Sequence, residues 1–166
     1  FNSLGDIVGW AAGLGYKGVQ IPTFDARLFD LEKAADSQIY CDEVKGICND
    51  AGVEITELST HLQGQLVAVN PIYDDAFDAF APAHLHGKPA ARKEWAIDQM
   101  MKAAIASERL GLSHTVSFTG SLAFPFLYPW PQRPAGLIEE AFAELGRRWT
   151  PILNHYKDHG QDIGFE

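Results

Sequence analysis

Apolar residues along this chain alternate between helical and strand spacing, which predicts a succession of helices and strands. Over 3–14, Leu4, Ile7, Val8, Ala11, Ala12 and Leu14 fall at helical intervals, with Asn2 or Ser3 placed to cap the first turn. Gly13 and Gly15 bracket the helix end, and Gly15 suits the left-handed residue that closes it. Residues 17–21 then read as a strand stopped by Pro22. A helix over about 31–51 puts Cys41, Val44, Cys48 and Ala51 on one face, with Gly52 behind it. Residues 53–59 alternate apolar and polar, which predicts a strand, although Glu54 and Glu57 are more polar than a buried parallel strand usually allows. Further on, 92–110 is a helix with Trp95, Met100, Ala103, Ala104 and Leu110 on its buried side, and 112–118 is a strand. Residues 137–156 form another helix, carrying Leu137, Ile138, Ala141, Phe142, Leu145, Trp149, Ile152 and Leu153 on one side, and Ile163–Phe165 opens a last strand that ends at Glu166.

Repeated strand, polar tip and helix imply a parallel α/β protein, in which chemistry gathers at the carboxyl ends of the strands. The strand spacing is irregular, so the units are a nested series and not a repeat array. No linker divides the chain, and one domain is expected. Two segments depart from the pattern. Residues 62–91 carry Pro71, Pro82 and Pro89 with Tyr73, Phe77 and Phe80 interspersed, and read as an insertion at the catalytic face or as a plain surface loop. Residues 119–134 pack Phe124, Phe126, Tyr128 and Trp130 among prolines. Such a loop is either a stacking wall for a sugar ring, with Trp130 a candidate substrate contact, or a stiff plug over a barrel mouth or subunit interface.

A chain of 166 residues, 46% hydrophobic and 21% charged, is globular and the size of one ordinary domain. Its net charge of −9 argues against a nucleic-acid or anionic-membrane surface, since both rely on clustered Lys and Arg. No stretch approaches the roughly 18 apolar residues that span a membrane, and no secretory signal pattern is visible. Cys41 and Cys48 lie roughly 10 Å apart along one predicted helix, too far for a disulfide. They are expected to pack as small hydrophobes in a reducing cytoplasm.

The polar strand tips supply the candidates for chemistry: Asp25, His61, Ser117, Thr119 and Glu166. Each has a structural alternative. Asp25 could cap the following helix, His61 could be a satisfied structural histidine, Ser117 and Thr119 could bond loop backbone, and Glu166, exposed at the terminus, could be chemically idle in a fragment. Glycine-rich nucleotide cradles, a hydrolase nucleophile elbow and the common zinc patterns are all missing. His84 and His86 have metal-compatible spacing but fall in the irregular segment, where incidental histidines are common.

Four stretches carry a family resemblance: Gly9-Trp-Ala-Ala-Gly-Leu-Gly-Tyr-Lys-Gly-Val-Gln-Ile-Pro22, Glu57-Leu-Ser-Thr-His-Leu-Gln-Gly-Gln-Leu66, Tyr128-Pro-Trp-Pro-Gln-Arg-Pro134 and Asp162-Ile-Gly-Phe-Glu166. Through them essentially the whole chain resembles the sugar phosphate isomerase/epimerase family, the xylose isomerase-like (β/α)8 TIM barrels. The first stretch is generic for such barrels; the second and third resemble one bacterial subgroup. The resemblance implies a partial barrel, strands roughly two to five with their helices. It also implies a divalent metal (manganese, magnesium, cobalt or zinc) held by two glutamates, an aspartate and a histidine. Glu166 matches the first of those glutamates, as metal ligand and catalytic acid/base, and His61 matches a tip that faces substrate. Asp25, Thr119 and Trp130 join it as expected substrate contacts.

The implied function is isomerisation or epimerisation of a sugar or sugar phosphate through an enediolate, with the metal as Lewis acid and carboxylates moving the proton. A dehydratase or lyase, an abasic-site endonuclease, or a non-catalytic binding barrel are the alternatives, and the acidic charge counts against the endonuclease. The chain opens on Phe1 and a helix, and it stops at the tip of a strand. It is therefore expected to be a fragment, inactive and unable to hold the metal alone, with open sheet edges that favour aggregation or a homo-oligomer.

Overall fold

The computed structural model describes residues 1–123 and 134–166. Helix α1, Leu4–Gly13, starts where the Ser3 side chain accepts the Asp6 N–H, and it buries Leu4, Val8 and Ala11. Strand β1, Gly18–Pro22, follows. Pro22 was expected to stop the strand and is instead its last residue, paired in register with Ser59. An edge strand tolerates this because a proline lacks only the N–H that would face outward.

The helix expected over 31–51 is two helices, α2 (Leu31–Asp36) and α3 (Gln38–Asp50). Asp30 caps the first by accepting the Lys33 N–H. Ser37, extended at φ −131° and ψ 116°, breaks the chain and caps the second through the Tyr40 N–H. The buried face of Cys41, Val44 and Cys48 is the one the spacing predicts. Both cysteines are free and buried, and burial pushes both thiols up.

Strand β2, Glu54–Ser59, leads through Thr60 into the short helix α4, His61–Gly64. The segment expected to be irregular instead makes compact turns. Leu66, Val67 and Ala68 are buried. Short 3-10 turns at Pro71–Tyr73, Asp78–Phe80 and Ala83–Leu85 flank the helical turn α5, Asp74–Phe77. One side chain staples them. Arg92, 2% exposed, donates to the carboxylates of Asp74 and Asp78 and to the Asp74 carbonyl. Asp78 also accepts the Gly87 N–H at 2.6 Å, which with Arg92 holds its carboxyl below the usual range.

Helix α6, Pro89–Leu110, begins before Arg92 with a proline in its first turn and ends at Gly111, φ 77°. Strand β3 is His114–Ser117, helix α7 is Leu137–Asp158 and strand β4 is Asp162–Phe165. The strands form one parallel sheet in the order β1-β2-β3-β4. The result is an α/β fold, an arc of parallel strands with helices around it, as a partial TIM barrel requires.

Two hydrophobic clusters hold the arc. One joins Leu4 and Val8 of α1 and Ile21 of β1 to Cys41, Val44 and Cys48 of α3 and Ala103, Ala106 and Leu110 of α6. The other joins Leu66 and Val67 to Ala96 and Met100 of α6 and Trp149, Ile152 and Tyr156 of α7. Because α6 contributes to both, it ties the two halves of the sheet together. Among the described residues, no helix is long and apolar enough to cross a membrane.

Candidate functional site

Parallel strands deliver their carboxyl ends to one edge of the sheet, and there the tips of β2, β3 and β4 converge. At the β2 tip, Thr60 is fully buried, and both its N–H and its hydroxyl donate to the Val116 carbonyl, at 2.9 and 3.1 Å. His61 therefore leaves the sheet from a fixed backbone. At the β4 tip the Glu166 N–H donates to the Ser117 carbonyl at 3.2 Å, extending the ladder by one residue.

The two side chains meet. His61 Nε2 lies 3.2 Å from Glu166 Oε2, although 105 residues separate them in the chain. On the other side of the imidazole, Nδ1 lies 2.6 Å from the Ser59 hydroxyl. The Phe118 ring packs edge-on at 4.5 Å between centroids. The His61 side chain is 17% exposed and that of Glu166 is 63% exposed, so the histidine is built into the wall and the carboxylate reaches out of it.

Beside them opens a cleft of about 350 Å³, lined by Glu166, Phe118, Thr119, Gly120, Ser121 and residues of the insertion. The insertion contributes Gln65, Asn70, Tyr73 and Phe77, so it lies at the strand tips as one of its two sequence readings had it. Asn70 is anchored there, donating to the Leu122 carbonyl at 2.8 Å and accepting the Ile72 N–H at 3.1 Å. Aromatic walls with a few polar groups suit a ligand that has both apolar faces and hydroxyls.

Close backbone approaches set this geometry. A Cβ on Gly64 would stand 1.9 Å from Ser117 Oγ and 2.3 Å from the Phe118 carbonyl oxygen. A Cβ on Gly120, at φ 69°, would stand 2.5 Å from the Gln65 carbonyl oxygen and 2.6 Å from that of Ala68. The two glycines let α4 and the segment behind it lie directly on the β3 tip. Trp149 braces the residues beyond β3 by donating its indole N–H to the Thr119 carbonyl at 2.9 Å and packing edge-on against Phe165.

Of the residues expected at the site, the structure brings together His61, Thr119 and Glu166. The Thr119 hydroxyl donates to the Gly120 carbonyl at 2.6 Å. Ser117 is fully buried, and its single O–H is shared between the carbonyls of Phe118 at 3.0 Å and Thr60 at 3.3 Å, so it braces the loop. Asp25 is not among the cleft residues. Its carboxylate accepts from Arg27 Nη2 at 2.6 Å and Nε at 2.9 Å, and from the Arg27 N–H at 3.0 Å. Those hydrogen bonds push its carboxyl down to about 2. Trp130 and the rest of the aromatic loop over 124–133 lie outside the described residues.

His86 Nε2 contacts the Ala81 carbonyl at 3.1 Å, a local tie within the insertion. Sequence reasoning did not pick out Ser59, Gln65, Asn70 or Tyr73 as site residues. The signal for Ser59 was its place at the end of the strand, two residues before His61.

The divalent metal implied by the resemblance can be weighed against the donor set. Glu166 Oε2 and His61 Nε2 face each other, and no group of three or more His, Cys, Asp or Glu able to hold a metal occurs among the described residues. Divalent ions take about four or more ligands. The described residues therefore fit one corner of a coordination shell and do not close one.

A solved structure agrees with the fold. A xylose isomerase domain protein from Planctomyces limnophilus superposes with a TM-score of 0.57 at 15% identity, over 95% of this chain and 48% of that one. A D-psicose 3-epimerase solved in the presence of D-fructose gives 0.49 at 13% identity, over 98% of this chain and 47% of that one. The chain thus spans about half the length of these solved structures. Among curated proteins none matches its sequence. The model of the xylose isomerase-like TIM barrel matches residues 8–166, and the chain belongs to that family.

Proposed function

We propose that the complete protein is a sugar or sugar-phosphate isomerase or epimerase that moves a proton at a carbon beside a carbonyl. The observation that carries this reading is the meeting of Glu166 and His61 at the mouth of an aromatic-walled cleft. Proton transfer between carbons needs a base that takes the proton and returns it, and a donor for the oxygen on which negative charge grows. The exposed Glu166 carboxylate has the reach and the chemistry of the base. His61 Nε2, 3.2 Å from that carboxylate, has the chemistry of the donor when it carries the ring proton. Phe118, Tyr73 and Phe77 give the ring or chain of a sugar an apolar wall, while Asn70 and Gln65 offer partners for its hydroxyls.

A divalent metal belongs to the proposal, with Glu166 as one ligand and the remaining ligands outside the described residues. Bound there, it would supply Lewis-acid charge beside the substrate oxygens. The protein is proposed to act on a small molecule in the cytoplasm, with no nucleic acid or membrane as partner.

The test is turnover of a panel of aldoses, ketoses and their phosphates by the complete protein with added manganese, magnesium, cobalt or zinc. Exchange of substrate carbon-bound hydrogen with deuterated solvent is followed in parallel. Interconversion with solvent exchange is expected, and Glu166→Gln should lower both by about a thousandfold while leaving the melting temperature within about 2 °C, since the carboxylate is mostly solvent-exposed. Full activity in a metal-loaded Gln variant would refute the role of Glu166. No interconversion or exchange across the panel would refute the reaction class.

A further inference from the structure

We propose that Ser59 is a positioning residue that fixes the tautomer and direction of His61, so that the imidazole presents an N–H at Nε2 to Glu166, which lines the cleft. Ser59 is 8% exposed and sits at the last position of β2, paired with Pro22 on one side and Val116 on the other. Its carbonyl accepts both the N–H and the hydroxyl of Thr23, each at 3.0 Å. The backbone that carries the Ser59 hydroxyl is thus tied on both sides, and the hydroxyl meets His61 Nδ1 at 2.6 Å.

The chemistry of the far nitrogen sets the direction of this bond. Glu166, as a carboxylate, only accepts hydrogen bonds, so a favourable contact with it requires the proton on Nε2. In the neutral imidazole Nδ1 is then the acceptor, and the Ser59 hydroxyl must donate to it. The opposite tautomer would turn a lone pair toward the carboxylate. Phe118, edge-on at 4.5 Å, occupies the flank of the ring and leaves little room for a flip. Ser59, His61 and Glu166 form one chain of hydrogen bonds running from the tip of β2 to the tip of β4.

The consequence for catalysis, delivery of the Nε2 proton to a substrate oxygen, rests on the isomerase or epimerase reading above. The tautomer does not. Nitrogen NMR of the complete protein labelled in its histidines reads the tautomer directly, with His61→Gln identifying the signal. The Nε2–H form is expected to dominate in the native protein and in Ser59→Thr, which keeps a hydroxyl, and to give way to a mixture in Ser59→Ala.

Turnover of Ser59→Ala should fall roughly tenfold with KM little changed, as loss of one hydrogen bond that aims a group predicts, and Ser59→Thr should recover it. An Nδ1–H form in the native protein, or a signal unaltered in Ser59→Ala, would overturn the assignment. If Ser59→Ala does not fold, the native spectrum and Ser59→Thr still decide. The expected tautomer in a protein without isomerase activity would sink the proposed reaction and leave the role of Ser59 standing.

Discussion

Gly64 seats α4 on the tip of β3, and replacing it with alanine would separate two effects that usually travel together. In an open helical position, Gly→Ala is favourable by about 1 kcal/mol because it removes backbone freedom from the unfolded chain. At Gly64 the new methyl would stand 1.9 Å from Ser117 Oγ and 2.3 Å from the Phe118 carbonyl oxygen. The serine hydroxyl could rotate away, but the carbonyl belongs to the backbone beyond β3 and cannot. Reaching ordinary contact requires α4 to retreat by roughly 1 Å.

Overpacking of this kind typically costs about 1–3 kcal/mol, and more where backbone must move. With backbone forced to move, the upper part of that range applies, about 2–3 kcal/mol, and after the helical gain Gly64→Ala should lose about 1–2 kcal/mol. At roughly 2–4 °C per kcal/mol for a chain of this size, the melting temperature should drop by roughly 2–8 °C.

Thermal and urea unfolding by circular dichroism measure that loss. Gly46→Ala in α3 is the matched control, since a Cβ there meets nothing within 4 Å, and it should leave the melting temperature unchanged or higher. Because His61 opens the same turn as Gly64, the retreat should also loosen the contacts of His61 with Ser59 and Phe118. If Gly64→Ala proved as stable as Gly46→Ala, the close approach of α4 to β3 would be wrong, and the placement of His61 with it.

Two other substitutions probe the surroundings. Trp149→Phe removes the indole donor from the Thr119 carbonyl, and leaving that carbonyl unpaired should cost about 1–3 kcal/mol, read as a lower urea midpoint. Asp25→Asn should leave cleft chemistry unchanged, because the carboxylate is engaged with Arg27. With its carboxyl pushed down to about 2, below the ordinary value near 3.9, Asp25 contributes stability that is fully present above the ordinary value and lost as pH falls through about 2. Asp25→Asn should therefore flatten the dependence of the urea midpoint on pH across that window and nowhere above it. A variant that shifted KM at neutral pH would place Asp25 at the substrate after all.

The alternation of helical and strand spacing made the fold legible because each strand of this sheet is preceded by a helix that buries one continuous face. That is why the face of Cys41, Val44 and Cys48 could be read directly, and why the parallel order followed. Ser37 escaped notice because a single extended residue between two helices barely disturbs the apolar period. The insertion escaped for a different reason. Its turns are too short to show any period, and they are held by Arg92, a charged residue that reads as surface until its carboxylate partners Asp74 and Asp78 are found beside it.

The site divides along the same line. His61 and Glu166 stood out because a polar residue at a strand tip is visible in one dimension. Ser59 did not, because what distinguishes it is a distance across a residue whose own side chain turns the other way, toward Val116. Ser59 is the last residue of β2 and His61 the first of α4, so the turn at Thr60 brings the Ser59 hydroxyl against the His61 ring. Buried Thr60 holds the tip through the Val116 carbonyl, and its two neighbours meet beside it at 2.6 Å.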